Sequence, residues 1–247
     1  MKIYQKFCNV ATVLDPIFYL GGAERVVFQI FQMFPGADIY SPIIDKDLSR
    51  EIGKLTTGDI RSTFLSWVPG ISKSSNLLKP LLFWYWEHLD LSGYDLIISS
   101  SHSFSSKSIV APKKALHIAY IHTPPRYLYN EFNETRWIRN PVVRLVLSPL
   151  LNWLRKKDFE GAQRPDILIA NSKTVQKRIW KYYNRKSIVI YPSVKIPDSR
   201  FEIKHKGSYF LCVSRMVKQK GIELAIRACN VLTLPLVVVG VGPEKQH

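Results

Sequence analysis

Four short segments carry residue types suited to holding a hydroxyl-rich or phosphorylated ligand. Gly21 and Gly22 precede Ala23 and Glu24. Two successive residues without Cβ let a backbone approach a ligand and aim a helix amino terminus at an anion, and they serve a tight strand-to-helix turn equally well. Ser99, Ser100 and Ser101 lead into His102, where hydroxyls and an imidazole either bond a polar substrate or cap a helix. His122 is followed by Thr123, Pro124, Pro125 and Arg126; the prolines restrict the backbone, so the imidazole is held either to orient a hydroxyl or a developing charge or as a structural group. Asn171 and Ser172 form a further polar pair, in which Ser172 reads by default as a helix cap.

Each of these segments follows an apolar run of strand length. Strands are expected over residues 8–14, 37–44, 96–100, 116–121, 167–171 and 187–191, and helices over 23–34, 77–89 and 174–183. Continuous apolar strands alternating with helices imply a mostly parallel sheet covered on both faces. Such a sheet binds ligands at the carboxyl ends of its strands, so the four segments together describe one polar cleft. Residues 208–247 repeat the pattern once more, with a strand over 209–215, a helix over 223–232 and a strand over 236–240. The expected organisation is a complete doubly wound α/β domain at 1–192, a hinge at 193–207 and the start of a second domain at 208–247. Two parallel strands and one helix cannot bury their own faces.

The chain has 247 residues, is 46% hydrophobic, and carries 35 Lys and Arg against 19 Asp and Glu, a formal charge of +16. That balance favours an anionic partner: nucleic acid, acidic lipid headgroups or phosphorylated substrates. The basic residues are spread along the chain with no helix-turn-helix, RNA-recognition or zinc pattern, which argues against nucleic acid. The longest apolar run, 141–151, is interrupted by Arg144 and Pro149 and is too short to span a bilayer. With no signal-peptide pattern and three isolated cysteines, Cys8, Cys212 and Cys229, a reducing cytoplasm is expected. Consecutive aromatics Phe83, Trp84, Tyr85 and Trp86 beside Lys79 either dip into a membrane interface or pack on the sheet; because they surround the helix, packing is favoured.

Six segments in order (21–25, 94–102, 117–127, 169–172, 189–192 and 214–221) closely resemble the retaining GT-B glycosyltransferases of family 4, nearest to mannosyltransferases of bacterial O-antigen and other surface polysaccharides. The resemblance implies a GT-B fold and transfer of a hexose, mannose from GDP-mannose, to a lipid-linked saccharide on the inner face of the plasma membrane. It implies that His122 sits by the transferred sugar and that Arg215 and Lys220 bind the donor diphosphate, making these three the catalytic set. Gly21, Gly22, Glu24, His102, Thr123, Arg126, Asn171 and Ser172 form the expected donor- and substrate-binding set. Fixed cations at a departing diphosphate lower the barrier to transfer. No metal or other cofactor is expected, since no His-rich ligand set is present.

Two departures from the family pattern affect the expectation. No glutamate has another eight residues on, where the family places a donor-binding pair, and the family's second domain would run roughly another 100 residues. Catalysis by this chain is therefore expected to be impaired unless a second chain supplies the missing half. The alternative is a noncatalytic acceptor- or membrane-binding remnant.

Overall fold

The computed structural model describes residues 7–19, 21–129, 141–194 and 207–246. Its contacts divide the chain into a larger unit reaching Ser193 and a smaller one beginning at Val194. The larger unit opens with β1 (Val10–Leu14), α1 (Gly22–Met33), β2 (Asp38–Tyr40), α2 (Lys46–Gly53) and β3 (Ile60–Arg61). It continues through the short α3 (Ile71–Ser74), α4 (Lys79–His88), β4 (Leu96–Ser101) and β5 (Leu116–Ile121). It closes with α5 (Pro141–Gln163), β6 (Ile167–Ala170), α6 (Lys173–Tyr183) and β7 (Ile188–Val189). All seven strands pair in parallel in the order β3-β2-β1-β4-β5-β6-β7. This is the doubly wound arrangement, and its strand order reverses between β1 and β4.

The two faces of the sheet follow from the two-residue period of the strands. On one face, Val26 and Ile30 of α1 pack on Leu96, Ile98 and Tyr120, while Val27 and Phe31 join Leu14, Ile39 and Ile52 of α2. On the other, Trp86 of α4 meets Ala11, Val13 and Ile97, and Val175, Ile179 and Tyr183 of α6 meet Ala119, Ile121 and Leu168. Trp86 is fully buried and its indole N–H donates to the Phe104 carbonyl at 2.8 Å. A buried tryptophan so satisfied typically contributes about 3–5 kcal/mol against truncation. The aromatic run is thus divided by the helix: Phe83 and Trp86 are core, whereas Trp84 is 58% exposed.

Several elements differ from expectation. β2 keeps only three residues of the expected 37–44 strand, the chain rejoining the sheet edge through a single bridge between Ile17 and Ile44. β7 is two residues long instead of five. β4 extends one residue beyond the expected 96–100, to Ser101, so Ser99, Ser100 and Ser101 are all buried strand residues. The 23-residue α5 lies outside the expected elements, because Pro149 reads as a breaker. Pro149 has no N–H to give to the Leu145 carbonyl; the Ser148 hydroxyl donates to that carbonyl at 2.8 Å instead, and the helix continues.

In the smaller unit, β8 (Phe210–Val213) and β9 (Leu236–Val239) pair in parallel around α7 (Ile222–Val231). Gly240 is required by close approach: a Cβ there would lie 1.8 Å from the Ser214 carbonyl oxygen. Phe210, Val213, Leu224 and Val239 are about half exposed or more, as expected for a two-stranded sheet with one helix. The stretch expected to form a hinge falls largely outside the described residues.

Candidate active site

Four neighbouring strands deliver polar side chains at their carboxyl ends. Asp15 follows β1, His102 follows β4, His122 follows β5 and Asn171 follows β6. Glycine-led α1 starts between β1 and β2, with Glu24 in its first turn. A larger concavity of about 320 Å³ opens beside Asn9, Ser92 and Tyr94, near the amino ends of β1 and β4. In parallel α/β sheets ligands bind at the opposite edge, outside the carboxyl ends at the point of strand-order reversal. The crevice lined by Asp15, Ala23, Glu24, Ser100 and His102 lies there.

Asp15 organises this edge, although no sequence signal singled it out. Its carboxylate is 3% exposed and accepts the backbone N–H of His102 at 2.8 Å, of Phe104 at 2.9 Å and of Ser106 at 2.8 Å. It also pairs with His102 Nδ1 at 2.6 Å. Burial by itself raises the Asp15 carboxyl, but the His102 charge and hydrogen bond, with the backbone donors, outweigh it and hold the group well below the usual carboxylate range. Burial likewise lowers His102, and Asp15 reverses this, so the imidazole is raised and favours its charged form.

His122 is held in the opposite state. Its Nε2 bonds the Ser100 hydroxyl at 2.8 Å, its N–H donates to the Ser101 carbonyl, and its carbonyl accepts from Asn171 Nδ2 at 2.9 Å. Burial and then the His102 charge lower it to about 4, so near neutrality it is a fixed, uncharged imidazole. The His102 and His122 ring centroids lie 6.4 Å apart. Burial also lowers a third histidine, His117, to about 3; it lies within β5, bonded to Ser99 and fully buried, and is part of the core.

The other expected residues take varied positions. Glu24 turns its carboxylate back to accept the Gly21 N–H at 2.8 Å, closing the first turn of α1. Among the described residues, no atom lies within 4 Å of where a Gly22 Cβ would be, so packing does not require glycine there. Ser172 caps α6, accepting the Val175 N–H at 3.2 Å, and also donates to Asn171. Thr123 receives Arg178 at 3.4 Å, and Arg126 is an exposed residue of the loop after β5. Arg215 and Lys220 belong to the smaller unit, exposed in the loop between β8 and α7. Among the described residues no three of His, Cys, Asp and Glu converge as a metal-ligand set.

The site therefore combines an imidazole biased toward its charged form, a neutral imidazole, hydroxyls and carboxylates on one strand edge, a mixture matched to a polyhydroxylated ligand. Comparison with solved structures places the fold beside the crystal structure of Anabaena Alr3699/HepE in complex with UDP, with a TM-score of 0.57 and 14% identity over 95% of this chain. The crystal structure of the glycotransferase of kitacinnamycin aligns at a TM-score of 0.47 and 10% identity over 94% of this chain. This chain spans 61% of the first protein's length and 65% of the second's. No curated protein matches it. The seven-stranded Rossmann-like unit is of the GT-B type, and residues 20–196 match Glycosyltransferase Family 4, the family to which this chain belongs.

Proposed function

We propose that the chain acts in glycosyl transfer, moving a hexose from a nucleotide sugar to a lipid-linked saccharide with retention of anomeric configuration. The observation that carries this reading is the family match over 20–196 coinciding with a polar strand edge at the point of strand-order reversal. The UDP held by HepE supports a nucleotide sugar as the donor class. Mannose from GDP-mannose, and a role in O-antigen or related surface polysaccharide, rest on the resemblance of the six motifs.

In this mechanism the neutral His122 lies against the transferred sugar, its ring fixed by Ser100 and its backbone by Asn171. A fixed neutral imidazole can hydrogen-bond a sugar hydroxyl without repelling the positive charge that develops on the sugar carbon. The resemblance of 214–221 to the family supports Arg215 and Lys220 of the smaller unit as the cations for the departing diphosphate, where preorganised cations are most effective. Gly22 leaves the first turn of α1 open for close approach, whereas the Glu24 carboxylate stands over Gly21.

A peripheral contact with an anionic membrane is part of the proposal. Among the described residues no helix is long and apolar enough to cross a membrane. Leu81 and Trp84 on α4 and Leu145, Val146 and Leu150 on α5 are exposed, and the two helices meet where Phe83 packs edge-on against Trp153. An apolar surface on a chain of charge +16 suits acidic headgroups.

Calorimetric titration with GDP-mannose, GDP and UDP-glucose tests the reading. Binding of a nucleotide sugar that is lost in Lys220→Ala is the expected result; no binding of any of the three would overturn it.

A further inference from the structure

We infer that Asp15 is a positioning residue that holds His102 as a hydrogen-bond donor to a hydroxyl of the bound sugar, an inference that rests on the transferase reading above and names a contact within it. Asp15 and His102 close the two strands, β1 and β4, between which the strand order reverses. The carboxylate cannot turn away, because three backbone N–H groups fix it. The ring is anchored in turn by the 2.6 Å contact at Nδ1, which leaves Nε2 as its remaining donor. His102 is 30% exposed where Asp15 is 3% exposed, and it lines the crevice with Glu24 and Ser100.

Local charge selects the ligand group. The charged groups acting on His102 are Asp15 from β1, Glu24 from α1 and Lys79 from α4, and His122 stands beyond it at the end of β5. Two carboxylates balance Lys79 and the imidazolium, so a phosphate would meet no excess of positive charge. A hydroxyl, by contrast, accepts from His102 and donates to Glu24 or Ser100 at once. The pairing with Asp15 also favours the protonated ring on which this donor depends.

The test begins with the free chain. Ring nitrogen NMR should show His102 protonated above the ordinary histidine value of about 6.5, and Asp15→Asn should lower its titration midpoint. An unchanged midpoint would overturn the assignment. Because Asp15→Asn also weakens three backbone bonds, His102→Gln supplies a second arm that leaves them in place. Calorimetry on that variant should show GDP-mannose or UDP-glucose binding weakened by roughly tenfold and GDP and UDP binding unchanged. Equal weakening of nucleotide and nucleotide sugar would mean that His102 meets phosphate, overturning the hydroxyl assignment. If the wild-type chain binds none of these, the transferase reading fails; lack of any His102 ring response to methyl mannoside or methyl glucoside would then overturn the sugar contact too.

Discussion

The carboxylates of Asp15, just after β1, and Asp158, on α5, grip one short segment, 102–107. Asp15 takes the backbone N–H groups of His102, Phe104 and Ser106. Asp158 takes the Ser105 hydroxyl at 2.7 Å and the Lys107 ammonium, and its second oxygen accepts Tyr129 at 2.8 Å and Tyr183 at 2.9 Å. Between them Ser105 is buried with φ 59°, a left-handed conformation that costs a side-chain-bearing residue about 1–2 kcal/mol. The two carboxylates offset that strain and carry His102 to the edge of the sheet.

Removal of Asp158 should be among the most damaging single changes. Lys107 is 1% exposed and would be left as an uncompensated buried charge, with two phenols and a hydroxyl also losing their acceptor. Asp158→Ala is expected to cost about 3–5 kcal/mol in denaturant unfolding. Lys107→Met in the Asp158→Ala background should recover part of the loss, since it removes the stranded charge.

Stability should fall in mild acid because of two histidines held neutral. His117 and His122 protonate near 3 and 4 in the folded chain, whereas unfolded histidine takes its proton near 6.5. Between those values the unfolded state binds more protons, so stability rises with pH across that window and declines as pH drops through it. Each histidine contributes a slope of up to about 1.4 kcal/mol per pH unit. Unfolding curves between pH 4 and 7 should be flatter for His117→Gln by one such contribution.

Gly161 lets α5 lie against the 102–108 segment. A Cβ there would stand 1.9 Å from the Ser108 hydroxyl and 2.6 Å from its Cβ. Gly161→Ala is expected to lower stability by about 1–3 kcal/mol through overpacking, in spite of the helix propensity gained. Ser108→Gly in the same chain should relieve most of it, as a thermal melt would show.

Ser100→Ala should separate placement of His122 from folding. Its hydroxyl holds Nε2, and it also belongs to the buried end of β4. A stability loss of about 1 kcal/mol with nucleotide-sugar binding or turnover reduced by roughly tenfold is expected, the latter read by calorimetry or product assay. Asn171→Ala, which releases the His122 carbonyl, should act in the same direction.

Membrane contact can be read from exposed residues alone. Trp84→Ala combined with Leu145→Ser should reduce cosedimentation with phosphatidylglycerol vesicles while leaving the melting temperature unchanged, because both side chains are mostly exposed. Binding that is indifferent to both changes would place the contact elsewhere.

Local residue order carried the alternation of elements. Runs such as Leu96–Ile98 and Ile118–Ile121 are too apolar for any exposed position, and Val26, Val27, Ile30 and Phe31 repeat with the helical period, so both signals exist before folding. The glycines at the start of α1, the histidines after β4 and β5 and the cap at Ser172 were legible for the same reason, since each sits at the end of its own element. Strand length was less so: β2 and β7 shorten because pairing ends where the neighbouring strand departs, which is a property of two segments. α5 was hidden because a proline's missing N–H is damaging only if nothing else serves the freed carbonyl, and Ser148 does. Above all, Asp15 stands 87 residues from His102 and 143 from Asp158 in sequence, with no motif of its own. Only the order of strands in the sheet brings β1 beside β4, and that contact raises His102 toward its charged form, while burial first of all keeps His122 neutral.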